Sequence, residues 1–288
     1  MKGIAHGPGR MFAVLARSLS AWVDHRAGSK GAALAFYTLF SMAPILVLAT
    51  AGAGFFFGSD AAQGEIVAQL EGLVGRDGGK AIQALLAGAR DPASGLAATL
   101  AAGVLLLVGA TSVFVELKAS LDEMWGIDPP KGLAVIAFLR TRLYSFGLVL
   151  VLAFLLLVSL VVSAALAVLE RHADGLWSNS YELFAVLSSA IAFAVIASLF
   201  ALIFKALPNA PLSWPDVWTG AVFTAGLFSL GKYLIGLYLG TSAVASSFGA
   251  AGSLIALLLW VYYSAQIFFL GAEFTRQYAT EYGSLRGR

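Results

Sequence analysis

The chain has 288 residues, of which 59% are hydrophobic and only 12% are charged. This composition excludes an ordinary soluble domain and predicts an integral membrane protein. Because the chain contains no cysteine, it also excludes thiol chemistry. The net charge of +2 is small, and the chain lacks the clustered basic stripe with interleaved aromatic residues that is typical of nucleic-acid binding.

A helix needs about 20 apolar residues to cross a hydrocarbon core of roughly 30 Å. Six segments meet this requirement, at residues 31–57, 95–115, 145–169, 182–204, 215–239 and 249–272. Long uninterrupted apolar runs are typical of helices, whereas barrel strands are short and alternate. The sequence therefore predicts an all-α polytopic membrane protein with six transmembrane helices.

The spans divide the chain into three predicted parts. Residues 1–30 are a cytoplasmic amphipathic N-terminal segment, residues 31–274 form the transmembrane domain, and residues 275–288 are a cytoplasmic tail. Thirteen of the 18 Lys and Arg residues fall on one side of the predicted membrane and four on the other. The positive-inside rule then places both termini in the cytoplasm. The first 30 residues lack the uninterrupted apolar core of a cleavable signal peptide.

The loop after the first span is long. Residues 58–94 repeat apolar residues at helical spacing around the stretch "GRDGG", which predicts a short amphipathic helical hairpin on the outer face. Two interpretations stay open for it: an interfacial pair packed over the bundle, or a lid over the mouth of a cavity.

Helix boundaries on the inner side are also legible. The second span is predicted to continue into the cytosol through "VFVELKASLDEMW", with Leu117, Leu121 and Met124 on one stripe, until Gly126 stops it. Ser213 and the acidic residue three positions later have the form of a capping box at the start of the fifth span.

Catalytic motifs are missing. All three histidines, His6, His25 and His172, lie outside the predicted spans, and none is spaced with another as a metal-binding pair. The sequence contains neither a phosphate-binding G-x-x-x-x-G-K-[ST] loop nor a nucleophile elbow. We therefore expect no enzyme activity, no metal and no cofactor.

Polar residues and one proline recur on faces of the first and sixth spans: Tyr37, Thr38, Ser41, Pro44, Tyr262 and Gln266. Pro44 leaves the carbonyl of Phe40 without its helical partner, and lipid cannot supply another. We predict that these faces line a cavity or contact a substrate, although such residues also serve as packing contacts between membrane helices. In the fifth span, Gly236 and Gly240 form a G-x-x-x-G pair that favours close helix contact.

Charged residues within the spans are few. Lys232 lies in the outer third of the fifth span and is either an interfacial anchor or a cavity-lining cation that meets an anionic substrate. A second group is predicted to form a charge cluster at the cytoplasmic ends of the spans: Glu116, Lys118, Lys205 and Glu273, with Arg140 and Arg142 as further partners.

The stretches "GAALAFYTLFSMAP", "SVFVELKASLDEMW", "KALPNAPLSWPDVWTGA" and above all "WVYYSAQIFFLGAEFT" resemble the YihY/BrkB family of bacterial inner-membrane proteins. The resemblance spans nearly the whole chain. It implies six transmembrane helices in the bacterial inner membrane, and roles proposed for members include envelope integrity, serum resistance and transport of lipid-like molecules. Some members carry a ribonuclease BN label, which the residues of this chain do not support. The resemblance assigns no catalytic or binding residue.

Two classes of function stay open. A transporter or flippase-like protein for an amphipathic or anionic envelope molecule would use the polar faces and broken helices that are typical of transporters. A non-transporting scaffold for the cell envelope would have membrane lipids and envelope proteins as partners. A cavity lined by Tyr37, Ser41 and Gln266 would favour transport, and a close-packed bundle would favour the scaffold.

Overall fold

The computed structural model describes residues 8–58, 60, 63–68, 70–71, 79–80, 82–84, 112–127, 180–208, 210–241 and 252–286. Its long elements are helices: α1 (Pro8–Asp24), α2 (Ala27–Phe57), α3 (112–124), α4 (Ser180–Ala206), α5 (Trp214–Thr241) and α6 (Gly252–Glu281). These ranges contain no strand, so the all-α class is confirmed for them.

Four predicted spans coincide with observed helices, namely the first with α2, the fourth with α4, the fifth with α5 and the sixth with α6. Within the described ranges, Val186–Ala206 and Leu254–Glu281 are long and apolar enough to cross a membrane by length and composition. The predicted third span and most of the second lie outside the described residues. The count of six spans therefore stays a prediction.

Helix α6 is the centre of the described part, because α1, α2 and α5 all pack against it and α4 packs against α5. Helices α3, α4, α5 and α6 meet at one end of the bundle. Leu121 of α3, Phe204 of α4, Val217 of α5 and Phe269 of α6 are buried there in one core. Helix α6 continues beyond the predicted span of 249–272. Residues 275–281 of the predicted tail are helical, and Glu281 forms an ion pair with Arg17 of α1.

Helices α5 and α6 approach each other through glycine and threonine. A Cβ atom added at Gly220 of α5 would overlap the side chain of Thr275 on α6, and one at Gly271 of α6 would overlap Thr224 on α5. Each threonine hydroxyl donates to the carbonyl of the glycine one turn earlier in its own helix, at 2.7 Å in both cases. Gly220 and Gly271 therefore set this contact. The predicted close contact of Gly236 and Gly240 stays a prediction, because their surroundings lie outside the description.

The predicted helix after the second span is confirmed as α3. Leu117, Leu121 and Met124 are buried in the core shared with α4, α5 and α6. Gly126 follows with a φ of 66°, and the amide of Ile127 donates to the carbonyl of Asp122 at 2.8 Å. A left-handed glycine directly after the helix is the expected stop signal.

The capping box at the start of α5 is confirmed too. The Ser213 hydroxyl donates to Asp216 at 2.7 Å and accepts from the Asp216 amide at 3.4 Å. The same buried carboxylate accepts the amide of Ser284 at 2.9 Å, which ties the end of the chain to α5. Asp216 therefore has partners for its charge within the fold.

Part of the predicted outer hairpin packs on the bundle. Val67 and Ile82 are buried in a second core with Ala35 and Leu46 of α2 and Leu257 of α6. This contact lies toward the ends of α2 and α6 that are remote from α1. It accords with the interpretation of a pair packed over the bundle, and a role as a lid stays a prediction.

Large apolar side chains also cover the outside of the described helices. Phe40 of α2, Val186 of α4 and Tyr233 of α5 are 64%, 67% and 70% exposed. Helix α1 buries Val14 and Ser18, yet it leaves Phe12 and its neighbours Leu19 and Val23 uncovered on another face. Apolar exposure on this scale is unusual for a soluble monomer and is expected where lipid is the solvent.

Candidate functional site at the turn between α1 and α2

The turn between α1 and α2 is tight and contains a strained residue. Arg26 has φ 53° and ψ 42°, the left-handed conformation, and it is the only non-glycine residue with a positive φ in the described ranges. This conformation costs an ordinary side chain about 1 to 2 kcal/mol. The turn folds α1 back against α6, so the end of α1 and the start of α2 both contact that helix.

Three polar contacts join this turn to α6. The Trp22 indole N–H donates to the carbonyl of Gln266 at 3.3 Å, and the Gln266 side-chain amide donates to the carbonyl of Ala27 at 3.4 Å. His25 Nδ1 lies 2.6 Å from Glu273 Oε1. We call these five residues the polar corner. Gly31 is part of its construction, since a Cβ atom there would overlap the Gln266 amide nitrogen.

Two oxygen atoms of the polar corner are buried without a hydrogen-bond partner in the described part of the chain. They are Oε1 of Gln266 and Oε2 of Glu273. The Glu273 side chain is fully buried, whereas that of His25 is 29% exposed. An isolated buried carboxylate is very costly. The polar corner therefore holds a buried acid that is paired on one oxygen, is unpaired on the other, and reaches the surface through an imidazole.

Helix α3 closes the same end of the bundle through charged groups. Arg276 of α6 donates to the carbonyl of Met124 at 2.6 Å, and Lys30 of α2 pairs with Glu123 at 2.6 Å. Lys118 donates to Asp122 at 2.8 Å and to the carbonyl of Leu207 at 3.1 Å. These contacts hold α3 against α2, α6 and the segment after α4.

The predicted polar stripe of the first span does not share one environment. Ser41 is buried with an unpartnered hydroxyl oxygen, and Thr38 is half-buried, but Tyr37 is 38% exposed beside Phe36. The prediction that this stripe lines a cavity or contacts a substrate is not tested by these exposures and stays a prediction. Helix α2 stays helical through Pro44, whose side-chain surroundings lie outside the description.

The remaining predicted contact residues are dispersed. On α6, Tyr262 is 38% exposed while Gln266 belongs to the polar corner, and on α5 Lys232 is exposed. Residues 37, 41 and 266 are therefore not brought together at one point. Whether any of these residues contacts a substrate stays a prediction.

The predicted charge cluster has different partners from those expected. Glu273 is paired with His25, Lys118 with Asp122, and the Lys205 ammonium donates to the carbonyl of Leu212 and lies 5.9 Å from the centre of the Trp214 ring. Glu116 is half-buried. Arg140 and Arg142 lie outside the described residues. The reason for the difference is that α1 returns against α6 and brings a histidine to Glu273.

Sequence reasoning missed Trp22 and His25. His25 lies outside the predicted spans and is not near another histidine, but its position shortly before the first span is at the same predicted membrane level as Glu273. This shared membrane level of His25 and Glu273 was the sequence signal that could have indicated their contact. The described residues contain no group of three or more His, Cys, Asp or Glu side chains placed to hold a metal ion.

Apolar helices with uncovered apolar surfaces, joined by a few buried polar contacts, define a helical membrane protein. The chain matches the virulence factor BrkB family over residues 18–287 and belongs to this family. The resemblance inferred from the sequence motifs is thereby confirmed.

Two relatives are similar over most of this chain. A UPF0761 membrane protein of Verminephrobacter eiseniae (strain EF01-2) is 30% identical over 257 residues, which cover 88% of this chain and 58% of the relative. The chain thus spans less than two thirds of that relative's length. The ribonuclease-like protein YfkH of Bacillus subtilis (strain 168) is 25% identical over 261 residues, covering 88% of this chain and 90% of the relative. No solved structure matches the chain.

Proposed function

We propose that this protein moves an amphipathic or anionic envelope molecule across the bacterial inner membrane, as a transporter or flippase-like protein. In this proposal the chain has six transmembrane helices and cytoplasmic termini. The proposed activity involves no catalytic step, metal, cofactor or nucleic acid, and membrane lipids are its surroundings and its candidate substrates.

One observation carries the proposal: helices α2 and α6 bury polar oxygens without partners. Ser41 Oγ and Gln266 Oε1 are both unpaired in the described part of the chain. Leaving such a group unpaired costs about 1 to 3 kcal/mol, and lipid offers no partner. Water or the polar headgroup of a passing molecule would satisfy each oxygen during transport.

The two oxygens lie at different depths. Gln266 contacts α2 at Gly31, and Ser41 follows ten residues later, which corresponds to about 15 Å along the helix. The exposed phenol groups of Tyr37 and Tyr262 lie on the same two helices. Polar groups at several depths would suit the movement of a headgroup along this pair of helices, with the acyl chains remaining in lipid.

A scaffold is the alternative, and two observations favour it. Helices α5 and α6 are in such close contact at Gly220 and Gly271 that no solute could pass between them there. Helix α1 also presents an uncovered apolar face around Phe12 and Leu19, to which a membrane partner could bind. A scaffold requires no movement of lipid, so a transport assay separates the two functions.

The test uses purified protein in liposomes that contain a trace of fluorescent phosphatidylglycerol or phosphatidylethanolamine. We expect wild-type protein to speed the passage of the labelled lipid between leaflets, and Gln266→Leu to slow it about tenfold, equivalent to about 1.4 kcal/mol. Ser41→Ala should slow it as well. Ser198→Ala is the matched control, because the Ser198 hydroxyl bonds to the carbonyl of Ala194 in its own helix.

Lys232→Ala distinguishes the two interpretations of that cation. If Lys232 meets an anionic headgroup, the variant should slow phosphatidylglycerol and leave phosphatidylethanolamine unchanged; equal effects on both indicate an interfacial anchor. Lipid movement no faster than in empty liposomes across both lipids and small anions would contradict transport and support the scaffold. Metal-dependent RNA cleavage by the pure protein would overturn both.

A further inference from the structure

Two acidic side chains are almost completely buried in the described residues, and they differ in how they are satisfied. Asp216 accepts hydrogen bonds from Ser213 and Ser284 at the start of α5. Within the described ranges, Glu273 has one hydrogen-bond partner, His25, and keeps one unpaired oxygen. The capping role of Asp216 accounts for its burial. The contact with His25 joins α1 to α6, but it satisfies only one of the two oxygens of Glu273.

We propose that Glu273 and His25 form a proton-binding site that controls the docking of the turn between α1 and α2 on α6. The histidine is the entry point, because its ring is partly exposed while its Nδ1 contacts the buried carboxylate. Imidazole can take a proton on its second nitrogen while the first keeps its hydrogen bond. Chains of carboxylates and histidines carry protons in this way in membrane pumps and transporters.

The net charge of the His25–Glu273 pair determines whether docking of the turn strengthens or weakens as the pH rises. With a neutral imidazole that donates from Nδ1, the pair carries one negative charge in a buried place; one added proton on the imidazole makes the pair neutral. Burial therefore favours the protonated pair, so the docked turn binds more protons than the undocked turn. By linkage, docking weakens as the pH rises, by at most about tenfold per pH unit for one proton.

Other charged groups near this pair carry charges of both signs. Among the described residues, Arg276 on α6 and Asp24 on α1 act on Glu273 with opposite signs. On α2, the Lys30 ammonium is already paired with Glu123 of α3. Gain or loss of a proton at the pair thus changes the net charge of this part of the molecule.

The strained turn at Arg26, between α1 and α2, is the part of the site that we expect to move. Arg26 is in the left-handed conformation, and the contacts of Trp22, His25 and Gln266 hold the turn on α6. A strained residue of this kind persists only where the surrounding contacts maintain it. If the protein is the proposed transporter, the proton becomes its coupling ion; this last step rests on the proposed function, whereas proton binding does not.

The docking test uses nitroxide labels, which is straightforward because the chain has no native cysteine. Labels on Leu19→Cys of α1 and Ala206→Cys of α4, both at exposed positions, report their separation by pulsed EPR in lipid nanodiscs. Between about pH 5 and about pH 9, we expect a second population to grow at longer separation as the pH rises. Glu273→Gln should abolish this dependence. The control Glu281→Gln removes the exposed ion pair with Arg17 of α1 but not the buried acid, so it should retain the pH dependence.

A second measurement needs no change at the site. In a protein carrying His6→Gln and His172→Gln, His25 is the only histidine, and its ring can be followed by nitrogen NMR. We expect it to titrate over the pH range in which the label separation changes. A pH-independent separation, a ring that does not titrate with it, or a response that survives Glu273→Gln would overturn the proposal.

Liposomes with a pH gradient then separate this site from the proposed function. Faster lipid movement under the gradient in wild type but not in Glu273→Gln would support proton coupling. Lipid movement that ignores the gradient would refute coupling and leave transport standing. Titration at His25 without any lipid movement would keep the proton site and refute transport.

Discussion

The two sides of α6 are built differently. Toward α5, glycine meets threonine, and each threonine hydroxyl is satisfied within its own helix. Toward α1 and α2, the contacts run between helices through Trp22, His25 and Gln266. Two buried oxygens there have no partner among the residues that the structure describes. The contact with α5 thus depends on close packing of small and apolar residues, and the contact with α1 and α2 depends on polar groups as well.

This difference assigns different roles to the two sides. Shape-based contact between small residues loses its dispersion energy as soon as the helices separate, so α5 and α6 should remain together. Polar contacts between helices can be exchanged for contacts with water, a proton or a headgroup at little net change in free energy. We therefore expect rearrangement on the side of α1 and α2.

We expect the largest effect from a substitution that disrupts the close contact between α5 and α6. Gly271→Ala places a Cβ atom 2.8 Å from the Cβ of Thr224, a backbone-fixed atom that cannot move aside. We expect the free energy of unfolding to fall by about 3 kcal/mol, measured as a lower temperature of half-unfolding by fluorescence-detected size exclusion. Gly226→Ala is the control, because nothing lies within 4 Å of the new atom. Equal stability of the two variants would mean that α5 and α6 are not in close contact.

We expect an intermediate effect from a substitution in the polar contact between α1 and α6. His25→Leu leaves the buried Glu273 carboxyl without its partner, and we expect a loss of about 2 kcal/mol. Adding Glu273→Leu should restore most of that loss, because it removes the unpaired acid. Denaturation of the two single variants and the double variant forms a mutant cycle. Strictly additive losses would show that the two side chains do not interact.

The smallest expected effect concerns the turn. Arg26→Gly should stabilise the docked turn by about 1 kcal/mol, because glycine adopts the left-handed conformation without the Cβ penalty. Arg26→Ala retains that penalty and should leave the temperature of half-unfolding near that of wild type. If both variants behave alike, Arg26 does not adopt this conformation in the membrane.

Helix positions were predictable where local chemistry is sufficient. The apolar runs predicted α2, α4 and α5 to within a few residues, and Ser213 with Asp216 marked the start of α5. Gly126 marked the end of α3. These signals depend on neighbours within a few positions of the chain, so no tertiary information was needed.

The tertiary environment of the candidate site residues was less predictable than the helix positions. Helical spacing placed Tyr37 and Ser41 on one stripe, yet it could not decide how α2 rotates against α6, and only Ser41 is buried. The close contacts of Gly220 with Thr275 and of Gly271 with Thr224 likewise join two helices, and spacing within either helix could not specify the partner. A repeat identifies a face of a helix, but the partner of that face depends on packing.

The sequence by itself determined that this is a helical membrane protein of the BrkB family, because composition, length of apolar runs and local motifs are properties of contiguous residues. Only the tertiary structure decided which helices meet at α6 and which polar atoms lose water there. His25 and Glu273 are 248 positions apart, and nothing near either residue specifies the other. Their contact exists because Arg26 turns α1 back along α6, which is a consequence of three-dimensional packing.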